Sequence, residues 1–371
     1  MTAYVCRLYP GGSLVHFFAT IPQPDGSNYN ETFAPLIRAL FAPERVARHG
    51  PYYFVRTRDA RLGAEALQIS VDGVTDPDAF REELRSIVQR HGHTARVEEI
   101  PLVEAPSPLW NAGFAGPGFE AASKRLFQRA APVLVAFLNR SAVSGSALPA
   151  ALGALRLMVA HTRATLLNSP QRNLPYQFGD LLSLRLLSYR SHYEAIYLRT
   201  KNPDSFEAAC ARFYEQAGPA VREFIAACGD PDAEHLDDLP AEQWTGFVKA
   251  GTSQLAETFL HGSIINAGET LEDLVQKRGG PVEPTRFHTP PSPELDALMH
   301  RDTDFLAFRM QTSLLYSSLY SLGFSLAERY VFCYVVARAN EEVRGRSMAE
   351  LQSDLDDLAR SMAPVSAKTA G

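Results

Sequence analysis

The chain has 371 residues, 46% hydrophobic and 21% charged, with a formal net charge of −6. That length suits one large domain or two small ones with a sizeable core. The acidic balance gives nucleic acid no basic field to follow, and no run of Lys or Arg exceeds two residues.

The four cysteines (Cys6, Cys210, Cys228, Cys333) form no Cys-x-x-Cys pair and have apolar neighbours. They read as buried thiols in a reducing compartment rather than as disulfides or metal ligands. No charged region followed by a long apolar stretch marks a signal peptide, and no apolar run approaches the ~20 residues of a membrane span. A soluble, cytoplasmic protein is expected.

Residues 1–107 alternate strand and helix signals. A strand is expected near Ser13–Thr20, with Ala3–Tyr9 as an added strand or arm. A helix over Thr32–Ala47 places Phe33, Leu36, Ile37, Leu40 and Phe41 at helical spacing, and Pro43 ends or kinks it. The stretch Tyr52–Val71 then reads as two strands around a charged turn. In the second, Leu67, Ile69 and Val71 point inward and Gln68 and Ser70 outward. Asp76-Pro77 opens a helix carrying Phe80, Leu84, Ile87 and Val88, and a last strand covers about Ala95–Val103. The order β-α-β-β-α-β is the split βαβ, ferredoxin-like plan.

From Glu120 onward the period is almost only helical. Helices are predicted over Glu120–Leu138, Leu148–Leu167, Phe178–Arg199, Phe206–Cys228, Ala241–His261, Asp304–Leu322, Leu326–Arg344 and Met348–Ser361. Asn202-Pro203-Asp204-Ser205 is a capping sequence, Ser347 with Glu350 a capping box, and Gly323 a helix stop suggesting a tight helical hairpin. Arg278–Pro293, with five prolines and two glycines, reads as a long loop, mobile without ligand and a possible cover for one. The expected class is α+β: a ferredoxin-like part (1–107) packed on a larger helical part with the active-site cavity (108–363), then a flexible tail (364–371).

No Walker A loop, dinucleotide-binding glycine motif, His-Glu-x-x-His or Gly-x-Ser-x-Gly occurs, so nothing supports a metal or nucleotide enzyme. Two helical segments are unusually polar. In Leu187–Ala195, Tyr189 and Tyr193 share a face, as do Arg190 with Glu194 and Ser188 with His192. Arg190 and Glu194 suit a surface pair, whereas Ser, His and Tyr on adjacent faces could also move protons. In Phe308–Gly323 a buried helix carries Gln311, Ser313, Tyr316, Ser317 and Tyr320. Buried hydroxyls need hydrogen bonds, which neighbouring helices or a cavity would supply. A neutral pocket of this kind suits uncharged, tautomerising substrates. The glycine-rich Trp110–Phe119 reads as a domain-crossing turn or a close approach to a ligand.

Taken together, the YYFVRTRD strand, the WNAGFAGPGFEAASKRLFQRAAPVLVAFL segment and the SLLYSSLYSLG and RYVFCYVVARANEE helices resemble the thiopeptide pyridine synthases. These are stand-alone relatives of the elimination domain of lanthipeptide dehydratases, and the resemblance spans roughly Gly12 to Leu358. Three places depart from the elimination pattern. Ala66, Gln68 and Ser70 stand where a His-Leu-Arg-Leu-Arg strand is usual. Pro108-Leu109-Trp110-Asn111 and Phe114-Ala115-Gly116 replace Tyr-x-Pro-Glu and Tyr-Gly-Gly. Arg309-Met310-Gln311-Thr312-Ser313-Leu314 replaces His-Met-x-x-Asn-Arg.

The resemblance implies a formal [4+2] aza-cycloaddition between two dehydroalanines of an azole-containing ribosomal peptide. It would form a pyridine and a macrocycle, release the leader peptide and require no cofactor. The partner would be that modified precursor peptide, with neither nucleic acid nor membrane involved. Chemistry and helical position point to Ser313 and Tyr316 at the reacting amide and to His192 or Tyr189 as proton shuttle. Arg56, Arg58, Gln68, Ser70, Arg190, Glu194, Arg309, Gln311, Ser317 and Tyr320 would contact substrate or support those that do. Two other readings stay open: a glutamate-elimination subunit of a split dehydratase, and a non-catalytic carrier of the precursor peptide.

Overall fold

The computed structural model describes residues 15–49, 52–59, 64–72, 74, 76–101, 109, 113–144, 147–233, 236, 238–268 and 290–362. The predicted arm at Ala3–Tyr9, Cys6, the turn residues 110–112, most of the predicted loop (278–289) and the tail from 363 lie outside the described residues.

Chain contacts divide the protein into two compact units. The first comprises Met1–Trp110, Glu120–Gly145 and Leu314–Ser325; the second comprises Asn111–Phe119, Ser146–Ser313 and Leu326–Gly371.

The first unit holds β1 (Val15–Pro22), α1 (Tyr29–Leu40), α2 (Pro43–His49), β2 (Tyr52–Asp59), β3 (Ala64–Asp72), α3 (Pro77–Arg90) and β4 (Arg96–Pro101). The sheet order is β2-β3-β1-β4 with every pair antiparallel, the ferredoxin-like arrangement expected from the sequence. The helix predicted over Thr32–Ala47 is two. Pro43 lacks an N–H and cannot continue α1, but it is well suited to open α2. Asn28 caps α1 and Asp76 caps α3 through side-chain oxygens.

One sheet face carries Phe17, Ala19, Ile21, Tyr52, Phe54, Leu67, Ile69 and Val71, all buried. Aromatic contacts tie it to the helical side, with Phe17–Phe80 at 5.5 Å and Phe41–Phe54 at 5.1 Å between ring centroids. The opposite face is covered as well. There α4 (Phe119–Ser144, within this unit from Glu120) sets Phe127 5.7 Å from Tyr53, and Gln128 donates to Asp72 at 2.7 Å. This corrects the expectation for Ser70. It has no exposed surface, because α4 lies over the face that a period-2 pattern assigns to solvent, while Gln68 keeps partial exposure.

The second unit holds the short ribbon β5 (Phe114–Ala115) with β6 (Ile265–Asn266) and the helices α5 (Ala147–Leu167), α6 (Phe178–Tyr197), α7 (Pro203–Cys228) and α8 (Leu239–Leu260). It continues with α9 (Pro293–Arg301), α10 (Thr303–Ser321, in this unit as far as Ser313), α11 (Leu326–Arg344) and α12 (Met348–Met362). The predicted helices match these closely; α9 is additional. Central α5 packs against α6, α7, α8 and α11, and from Leu157 to Leu167 every residue is buried.

Burying α5 buries its polar residues, and each described one finds a partner. Trp244 Nε1 donates to His161 Nδ1 (3.2 Å), and His161 Nε2 lies 3.2 Å from Thr312 Oγ1. Arg163 donates to the carbonyls of Asp230, Pro231 and Ala233. Arg185, also buried, donates to Asp304 at 2.7 Å and to Gln171 at 2.9 Å. The Asn202 cap and the reciprocal Ser347–Glu350 box form as predicted.

No helix among the described residues is long and apolar enough to cross a membrane. Among the same residues no cluster of three His, Cys, Asp or Glu could hold a metal ion.

Candidate functional site

Helix α10 starts where Asp302 Oδ1 accepts from Phe305 N (2.8 Å). It stops at Gly323, whose φ is +93°. The Gly323 N–H reaches Tyr320 O and the Phe324 N–H reaches Leu319 O, which together make a Schellman motif. Between these ends Leu306, Phe308, Met310, Leu314, Leu315, Leu319 and Leu322 are buried. The partly exposed positions include Arg309, Ser313, Ser317 and Tyr320, spaced i, i+4, i+8 and i+11, with the more buried Tyr316 beside them. Five of the predicted site residues therefore form one polar stripe along a single helix face. Ser313 Oγ also donates to Arg309 O at 3.2 Å.

Gln311 is not on this stripe. Its side chain is fully buried, donating to Val248 O (3.1 Å) and accepting from Thr252 Oγ1 (3.0 Å). Both ends of its amide are spent on α8, so its placement is that of a core hydrogen-bonding residue and not of a substrate contact.

The first unit brings Tyr320 together with Arg56 and with residues the sequence did not single out. The Arg56 guanidinium lies between two phenol rings, 4.6 Å from the Tyr29 centroid and 4.4 Å from that of Tyr320. Arg56 Nε donates to Glu65 Oε2 at 3.0 Å, and the Tyr320 hydroxyl donates to the same oxygen at 2.6 Å. The hairpin register explains the meeting. Arg56 stands opposite Leu67 and Arg58 opposite Glu65, so Glu65 is the diagonal same-face neighbour of Arg56. Because β2 is an edge strand, the Arg56 N–H points out of the sheet, and Ser321 Oγ accepts it at 3.1 Å. Burial, with the Glu65 carboxylate beside it, pushes the Tyr320 phenol up to about 12. At neutral pH this phenol is a hydrogen-bond donor, not a base. Arg58, one residue beyond Thr57 on β2, is exposed.

On α6 the predicted faces hold but the depths differ. Tyr189 has no exposed surface, and its hydroxyl donates to Met158 O at 2.7 Å with Thr162 Oγ1 3.3 Å away. Burial raises its pKa far above the ordinary phenol range. A phenol so enclosed and so committed has no route for a proton to substrate, which removes it from the shuttle role. His192 is partly exposed on the same helix. Arg190 and Glu194 do pair, at 3.4 Å, but the pair is half-buried rather than superficial. Glu341 on α11 lies 3.6 Å from the other side of the guanidinium.

No family model matches the chain, and neither does any curated protein sequence. Solved structures do. The crystal structure of TsrL superposes with a TM-score of 0.67 at 18% identity, over 92% of this chain and 99% of that one. The pyridine synthase TbtD, from thiomuracin biosynthesis, gives 0.54 at 16% identity, over 90% and 99%. The tRNA-dependent lantibiotic dehydratase MibB from Microbispora sp. 107891 gives 0.48 at 14% identity, over 92% of this chain and 29% of that one. At these identities the likeness to TsrL and TbtD is one of fold, extending over nearly the whole of both chains.

Proposed function

We propose that this protein is an enzyme of ribosomal-peptide modification that joins two dehydroalanines of an azole-bearing peptide by a formal [4+2] aza-cycloaddition. The observation that carries this reading is the stripe Ser313, Tyr316, Ser317, Tyr320, a row of neutral hydroxyls on one helix, in a chain sharing the fold of a pyridine synthase over 90% of its length. One dehydroalanine, its neighbouring amide tautomerised to the iminol, serves as the 2-azadiene, and the other as dienophile. Two carbon–carbon bonds form. Loss of water and then of the leader as its carboxamide aromatises the ring without any oxidant.

Such a reaction asks for geometry more than for strong acids or bases. Holding both alkenes in contact supplies ~7–11 kcal/mol of the barrier in favourable cases. Hydroxyls that donate to the amide oxygen and accept from its N–H favour the iminol and shuttle protons during both eliminations. Ser313 and Tyr316 take that part. Ser317, Tyr320 and Gln68 contribute as peptide contacts.

Incubation with a thiazolyl peptide carrying two dehydroalanines, followed by mass spectrometry, is the test. Release of a leader carboxamide together with an ultraviolet-absorbing macrocycle is the expected result. Tight binding with unchanged substrate mass identifies a carrier instead, and glutamate release from a glutamylated peptide identifies an elimination subunit. Within the cycloaddition reading, a folded Ser313→Ala/Tyr316→Phe double variant that keeps full turnover removes these two residues from the site.

A further inference from the structure

Arg309 differs from four other buried or half-buried arginines of the second unit. Arg185 faces Asp304, Arg156 faces Asp238, Arg190 faces two glutamates, and Arg163 holds three carbonyls. Arg309 makes one hydrogen bond, from Nη1 to Met299 O at 3.1 Å, and lies 5.6 Å over the Phe114 ring. No carboxylate of the described residues pairs with it, and among those residues its five N–H donors meet one acceptor, Met299 O. Desolvation alone pulls its pKa below the ordinary arginine value.

An acceptor with no donor among the described residues neighbours the same Phe114 ring. Asn266 stands directly opposite Phe114 in the β5–β6 ribbon, so the two side chains share a face. Asn266 Nδ2 donates to His300 O at 3.1 Å, the carbonyl next to the one Arg309 holds. Its Oδ1 is buried and has no partner among the described residues. A buried polar atom left in that state costs free energy unless something binds it. Guanidinium donors beside an amide acceptor, over an aromatic floor, complement a group with both a carbonyl and an N–H. A carboxylate would set its oxygens against the lone pairs of Asn266 Oδ1; an amide would not.

We infer that Arg309 and Asn266, over Phe114, form a binding site for a peptide amide, with Arg309 donating to its carbonyl and Asn266 Oδ1 accepting its N–H. Arg309 lies one turn before Ser313 on the same face of α10, so the amide would be held next to the hydroxyl stripe. The amide's belonging to the peptide substrate rests on the function proposed above; the site itself does not.

The test is NMR of the full chain labelled with 15N-arginine, following the Arg309 Nε–Hε signal during titration with N-methylacetamide or with acetate. The expected result is saturable movement of that signal by the amide, with a weaker response to acetate, and loss of the amide response in Asn266→Ala. A stronger response to acetate, or none to the amide, overturns the assignment. Any Arg309→Met variant that melts with the wild type is then assayed with the bis-dehydroalanine peptide. KM should rise about tenfold with kcat within a few-fold, and an unchanged KM would detach the site from the substrate. A moving Nε signal in a protein that does not convert the peptide keeps the site and refutes the proposed reaction; turnover with an unmoved signal does the reverse.

Discussion

Stability of the helical unit should fall with acidification because of one residue, His161. It is wholly buried, accepts from Trp244 Nε1 and lies against the Thr312 hydroxyl, which itself donates to Phe308 O at 2.8 Å. This chain needs the neutral ring with its proton on Nε2. Burial, reinforced by the nearby Arg185 charge, holds the folded-state pKa at about 3 against 6.5 for a free histidine. Between those values the unfolded chain binds a proton that the folded chain refuses, so stability rises with pH across the window and levels off above about 6.5. From pH 7.5 to pH 5 the loss is about 2 kcal/mol from this group alone, growing towards about 5 kcal/mol below pH 3. Other groups titrate too, so the measurement is a difference: urea unfolding of wild type and His161→Gln at both pH values, followed by tryptophan fluorescence. Trp244 touches the titrating ring and reports its own unit. The wild type should lose about 2 kcal/mol more than the variant on acidification. Parallel losses in the two proteins would show that His161 is not held neutral by this environment.

The Arg185–Asp304 pair is buried on both sides, and Asp304→Ala leaves an uncompensated guanidinium in the core. It should cost roughly 3–5 kcal/mol in chemical denaturation, while a simultaneous Arg185→Met recovers part of that loss. Gly323→Ala forces a Cβ into a φ of +93° and against the Asn30 side-chain amide. A loss of about 1–3 kcal/mol is expected, partly restored by Asn30→Ala, and an unchanged melting temperature would contradict the Schellman stop. Arg56→Met removes a charged hydrogen bond and two ring contacts, so about 2 kcal/mol of stability should disappear. Turnover of the bis-dehydroalanine peptide, measured well below the melting temperature, should stay within a few-fold of wild type; its abolition would mean that Arg56 meets substrate directly.

Much of the fold was readable because local signals and tertiary structure agree. The front sheet follows from alternation bounded by turns, and most helices end at Asn, Ser, Pro or Gly positions whose chemistry compels an end. Where prediction failed, a second layer intervened. Ser70 looked outward only because a period of 2 cannot announce that α4 covers the other face. Tyr189 and Gln311 looked functional because buried polar groups and site residues share the same signature in sequence: a polar side chain on an apolar helix. Only their partners, Met158 O for one and Val248 O with Thr252 for the other, separate the cases. Arg56 and Tyr320 were each singled out, yet no pattern joins residues so far apart in the chain. Glu65 and Tyr29, which complete that cluster, carry no motif, and the hairpin register alone brings Glu65 beneath Arg56.

The distribution of charge narrows what these surfaces can do. An anionic glutamyl group needs a cation whose charge is not already balanced. Arg56 is balanced by Glu65 and flanked by two rings, Arg190 lies between two glutamates, and Arg185 and Arg156 each face an aspartate. What remains along α10 is neutral: two serines and two tyrosines, one of them raised to about 12 and so held as a donor. Arg309 is the exception, and its neighbour Asn266 presents a lone pair where an anion would need a donor. A helix face built from neutral donors and acceptors favours groups that exchange protons without gaining charge, as an amide does in becoming an iminol. The same face would hold a carboxylate poorly, which is why the amide-versus-acetate comparison at Arg309 also bears on the choice between cycloaddition and glutamate elimination.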